Sequence, residues 1–77
     1  MRSEKILEVA TQAIENQLRD SDPVDTKQTL EKLIDRGVPE NEAKTMITIL
    51  FMEEMFEVFK NKNEFNTERY IQKLKEL

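Results

Sequence analysis

Residues 39–60 read Pro-Glu-Asn-Glu-Ala-Lys-Thr-Met-Ile-Thr-Ile-Leu-Phe-Met-Glu-Glu-Met-Phe-Glu-Val-Phe-Lys. After Pro39 no Gly or Pro interrupts the stretch, which holds three of the chain's four Met and three of its four Phe. Turned at about 100° per residue, Glu53, Glu57 and Lys60 fall together, with Glu54 near their edge. Ile47, Phe51, Met52, Met55, Val58 and Phe59 cover an arc of roughly 200°, and Met46 and Leu50 carry it to the acidic stripe. A helix of a small monomer needs an apolar stripe of only about 100°. The stretch therefore predicts one long central helix with more apolar surface than one neighbour covers. Helices on two sides, or a second copy of the chain, would have to cover the surplus.

Outward from this helix, the punctuation sets the remaining elements. On its C-terminal side, Lys60-Asn61-Lys62-Asn63 places cations at the end of the dipole and stops it. Asn66 then reads as a helix cap, and Phe65 and Tyr70 have the spacing of a hydrophobic staple. Tyr70, Ile71, Leu74 and Leu77 form the inner face of that last helix. Its outer face, Glu68, Arg69, Lys73, Lys75 and Glu76, is mixed in sign and reads as solvated. On the N-terminal side, Val38-Pro39 makes a tight link, with Pro39 as cap or first helical residue and Glu40 and Glu42 suiting the dipole. Gly37 sits where a helix ends in a left-handed residue. The helix before it opens with Asp22 as N-cap and Pro23 in its first turn, and buries Val24, Leu30, Leu33 and Ile34, with Thr26 at the edge. The first helix, capped by Ser3, lines one side with Ile6, Ala10, Ala13, Ile14 and Gln17, flanked by Leu7 and Leu18. The fold expected is all-α, a small four-helix bundle of one domain over residues 1–77. Its helices run about 3–19, 23–36, 39–61 and 66–76, with the third central.

Composition removes several function classes. The 77 residues include no Cys and no His, so the thiolate and imidazole routes to metal binding and acid–base catalysis are absent. The net charge of −4 and pI of about 4.9 oppose the basic face that phosphate backbones require, so no nucleic-acid partner is expected. A helix-turn-helix reader is disfavoured further, because its recognition helix would open with Glu40, Asn41 and Glu42. No apolar run approaches a membrane span, and the N-terminal Met-Arg-Ser-Glu-Lys carries charge where a secretory leader is apolar. The expected location is the cytoplasm, with no membrane partner. A chain this short buries only about 60% of its unfolded surface, so association would help it.

An ordered set of short motifs carries a resemblance: Glu15-Asn16-Gln17-Leu18, Asp22-Pro23, Thr26, Thr29-Leu30, Leu33, Gly37-Val38, Glu42-Ala43 and the region of Glu54 to Phe56. Over residues 10–77 this order resembles a small bacterial family of unknown function, whose pattern runs Glu-Asn-Gln, Asp-Pro, Gly-Leu, Glu-Ala. The resemblance implies an all-helical fold and supplies no activity. Members carry His beside the Glu-Ala pair and again a few residues on. Here those places hold Asn41 and Thr45, so a metal or acid–base role built on them does not carry over.

Three constellations could carry function. Glu53-Glu54-x-x-Glu57 looks like the carboxylate motif with which all-helical nucleotide pyrophosphohydrolases hold Mg²⁺. That family needs a second Glu-x-x-Asp pair, and no Asp follows Glu57, so such an enzyme would have to complete its site across a dimer. The plainer reading is a solvated acidic stripe, with no metal and no cofactor. Glu15, Asn16 and Gln17 interrupt an apolar helix; with Asp22 they read as structural polar residues, Gln17 bonding the Ser21–Pro23 connection. Finally, Met46, Leu50, Phe51, Met52, Met55 and Phe59 read as an adaptable association face, with Met46, Leu50 and Met52 able to floor a groove for a peptide helix. The function expected is a non-enzymatic helical interaction module, a homodimer or a binder of another helical protein.

Overall fold

The computed structural model describes residues 3–77. Four helices account for most of them: α1 (Ser3–Asp20), α2 (Val24–Asp35), α3 (Glu40–Asn61) and α4 (Thr67–Lys75). All eight ends fall within a residue of the sequence expectation. The cap expected at Ser3 lies outside the described side chains. α3 packs against α1, α2 and α4, which makes it the central element, and α2 also touches all three others. Ile14, Leu30, Leu33, Ala43, Ile47, Tyr70 and Leu74 form the buried core, one residue from α1 and two from each other helix. Ile6 and Ala10 extend the buried line along α1. No helix among the described residues is long and apolar enough to cross a membrane.

Local chemistry explains where the chain turns. α2 ends in a Schellman arrangement: Gly37 N–H donates to Ile34 O at 2.9 Å and Val38 N–H to Leu33 O at 3.0 Å. Gly37 takes φ +95°, which a side chain rarely tolerates. Asn66 caps α4 as expected, its Oδ1 accepting from Arg69 N–H at 2.9 Å. The staple forms too, with the Phe65 and Tyr70 rings 6.1 Å apart, and Phe51 of α3 joins them at 4.9 and 5.6 Å.

Two expectations about α2 are corrected. Asp22 does not cap it. Pro23, with extended backbone, takes the N-cap place with no side-chain cap bond, and its carbonyl accepts from Thr26 N–H at 3.2 Å. Asp22 stands one residue too early and donates its own N–H to Gln17 O at 3.1 Å. The inner face of α2 is also rotated from the expected one. Thr26, Thr29, Leu30 and Leu33 point inward, whereas Val24 and Ile34 are exposed. Two threonines turn inward because one of them, Thr26, has a polar partner waiting there.

Candidate interaction surface

That partner is a triangle of oxygens joining three helices. Thr26 Oγ1 of α2, itself fully buried, donates to Gln17 Oε1 of α1 at 2.7 Å. Tyr70 Oη of α4 donates to the same oxygen at 3.1 Å and lies 3.1 Å from Thr26 Oγ1. Burial pushes the Tyr70 phenol above its ordinary pKa, and the Thr26 hydroxyl opposes this only in part. Gln17 therefore bonds two side chains, not the expected connection; only its backbone carbonyl serves that turn. Its neighbours diverge from it. Glu15 pairs with Lys44 of α3 at 3.2 Å, and Asn16 accepts from Gln12 at 3.0 Å. The three consecutive residues take separate partners and form no common site.

The acidic stripe of α3 divides in a way the sequence reading missed. Glu54, expected at the edge of a solvated face, has a fully buried side chain. Arg69 Nε reaches both of its oxygens at 2.9 Å, Arg69 Nη2 adds a bond of 2.7 Å, and Lys73 Nζ lies 3.1 Å away. Lys73 also holds Glu53 at 2.8 Å. Arg69 and Lys73 thus tie α4 to α3 and are not the idle solvated residues they resembled. The Arg69 guanidinium, with Lys73 second to it, holds the Glu54 carboxyl below the ordinary glutamate range against the opposing effect of burial. In return Glu54 raises Arg69, and Glu53 followed by Glu54 raises Lys73. Glu57 borders the same open recess as Glu53, Glu54, Arg69 and Lys73 and accepts from Asn61 at 2.6 Å. Among the described residues no group of three acidic side chains is nonetheless arranged to hold a metal ion. The oxygens that the Mg²⁺ reading would use on Glu54 are already occupied by cations.

The apolar arc divides as well. Met46, Leu50 and Phe51 pack in part against the core of their own domain, Phe51 within the aromatic trio. Met52 and Met55 are half-buried. Phe59 is 51% exposed, joined by Ile49 at 50% and Phe56 at 45%. The last two were not counted among the association residues, yet a signal for them is present in the chain. Thr45, Ile49, Met52, Phe56 and Phe59 follow one another at spacings of four, three, four and three. That is the heptad spacing of a seam on which another helix packs knobs into holes. The whole seam is open or half-open in the folded domain.

At its N-terminal end the seam borders a shallow cavity of about 200 Å³ between α1 and α3. Leu7, Thr11, Ile14, Thr45, Thr48 and Ile49 are among the residues lining it. Thr45 and Thr48 turn their hydroxyls back to the carbonyls of Asn41 and Lys44, at 2.9 and 2.7 Å, and so present methyl groups. Leu7 on its rim is half-exposed. Among the described residues no buried side-chain polar atom lacks a partner. The described residues are thus internally satisfied, and the seam gathers three of their exposed large hydrophobics, Ile49, Phe56 and Phe59, on one helix. Comparison with protein-family models, characterised proteins and solved structures finds no match to this chain.

Proposed function

We propose that this chain is a non-enzymatic helical interaction module that self-associates as a two-fold dimer through the exposed seam of α3. The observation carrying this reading is the run Ile49, Met52, Phe56, Phe59, left open along one side of a helix whose other sides are occupied. Leaving two half-exposed Phe side chains in water is costly, since a Phe removes on the order of 150–250 Å² when it buries fully. The chain is too small to cover them itself. A two-fold dimer presents the same patch twice and needs no second gene product. The seam is narrower than the face first expected: Met46, Leu50 and Phe51 support it from within, while Ile49 and Phe56 replace them at the surface.

Sedimentation across the micromolar range tests the proposal. The wild-type chain is expected to reach twice its monomer mass, and Phe56→Glu to remain a monomer. Because Phe56 contributes little to the core, that variant should keep the wild-type helix content and urea midpoint. A wild-type chain that stays monomeric at high micromolar concentration would overturn the proposal.

A further inference from the structure

We infer that the two α3 helices pair antiparallel, with Phe59 of each chain seated in the cavity between α1 and α3 of the other. This rests on the self-association proposed above and specifies its geometry. The seam is palindromic: Ile49, Met52, Phe56 and Phe59 are spaced three, four and three in either direction. A two-fold axis crossing α3 between Met52 and Phe56 therefore places Ile49 against the partner's Phe59 and Met52 against the partner's Phe56. Each aliphatic side chain meets a ring, large against small, and Met52 gains a sulfur–aromatic contact. Parallel pairing in register stacks Phe on Phe at one end and leaves Ile on Ile at the other.

The cavity gives an independent argument. Its apolar mouth, Leu7 and Ile49, lies ten residues from Phe59 along α3, about 15 Å at the helical rise. Phe59 is half-exposed at one end of the seam, and the nearest apolar recess lies at the other. Within one chain they cannot meet. The antiparallel two-fold brings each Phe59 onto the other chain's recess, the arrangement of a buried aromatic anchor in a pocket. Charge agrees at the ends. Parallel pairing gathers Lys60 and Lys62 of both chains at one end and Glu40 and Glu42 of both at the other. Antiparallel pairing keeps the two Lys60–Lys62 ends apart, as it does the two Glu40–Glu42 ends, and opposes the helix dipoles. It also brings the two Glu53 near the axis. In each chain Lys73, 2.8 Å from its own Glu53, offsets that repulsion.

The absence of Cys allows a direct test with single-cysteine variants. Glu53→Cys lies beside the proposed axis, so a short bis-maleimide should shift it to the mass of a covalent dimer. Ile49→Cys, far from its own copy in this arrangement, should stay at the monomer mass. Phe56→Glu combined with each variant controls for collisional linkage. Linkage of Ile49→Cys, with or without linkage of Glu53→Cys, means parallel helices and overturns the inference while leaving self-association standing. Linkage at neither position in a chain that sediments as a dimer places the interface elsewhere and overturns it too. A wild-type monomer by sedimentation removes both the inference and the reading beneath it.

Discussion

The oxygen triangle of Gln17, Thr26 and Tyr70 permits a prediction from counting protons. Three oxygens share two hydroxyl protons, so two bonds form at once, and Gln17 Oε1 is the only member that solely accepts. Tyr70→Phe removes one proton and one oxygen. Thr26 still donates to Gln17 at 2.7 Å, and nothing buried is orphaned. The cost is one net hydrogen bond, about 1 kcal/mol. Gln17→Met removes the acceptor. Two hydroxyls then remain with two protons and a single bond between them, so one buried donor has no acceptor. That change costs about 2 kcal/mol, within the range for an unsatisfied buried group. Thr26 is completely buried and Tyr70 nearly so, which keeps water from rescuing the orphan. For a domain of this size each kcal/mol moves the melting temperature by about 4–8 °C. Urea unfolding followed by circular dichroism measures both variants; midpoints should fall in the order wild type, Tyr70→Phe, Gln17→Met, with unchanged slopes. A Tyr70→Phe midpoint below that of Gln17→Met would refute the counting.

Two further outcomes follow from the same structure. Glu54 has a carboxyl lowered by Arg69 and Lys73, so its stabilising effect is present above the unfolded glutamate value of about 4.3 and is lost as pH falls through the folded value. Between pH 5 and pH 3 the urea midpoint of the wild-type chain should therefore fall more steeply than that of Glu54→Gln; parallel curves would show that the ion cluster adds no pH dependence. Gly37→Ala meets no atom within 4 Å, so its cost is backbone strain alone, about 1–2 kcal/mol for a side chain in the left-handed region. An unchanged melting temperature would mean that the α2–α3 link relaxes to accommodate the side chain.

Helix boundaries were legible because the residues that set them act locally. Gly37 stops α2, Pro39 starts α3 and Asn66 starts α4 whatever the rest of the chain does. The Phe65–Tyr70 staple is equally local. Asp22 misled because two adjacent residues, Asp22 and Pro23, both suit a helix start, and the cap position fell one residue later than the acid. Glu54 was illegible for a different reason. It lies between the apolar arc and the acidic stripe, and its direction depends on where Arg69 and Lys73 land, fifteen and nineteen residues on. Carboxylates that attract two cations from another helix cannot be told from solvated ones by periodicity. The inward turn of Thr26 depends likewise on Tyr70, far along the chain. The seam itself could have been read: its 4-3-4-3 spacing is in the sequence, but a single broad arc merges it with residues such as Phe51 that the domain uses itself.

The attachments of α4 bear on how the domain opens. Nine residues are too few to hold a helix in water alone, so α4 is helical because it is docked. Its polar ties reach Gln17 of α1, Thr26 of α2, and Glu53 and Glu54 of α3. Releasing it alone would break the oxygen triangle and strip a buried carboxylate of both its cations at once. Because α4 is fastened to every other helix, the amide protons hydrogen-bonded within it are expected to exchange with solvent at the rate set by unfolding of the whole domain.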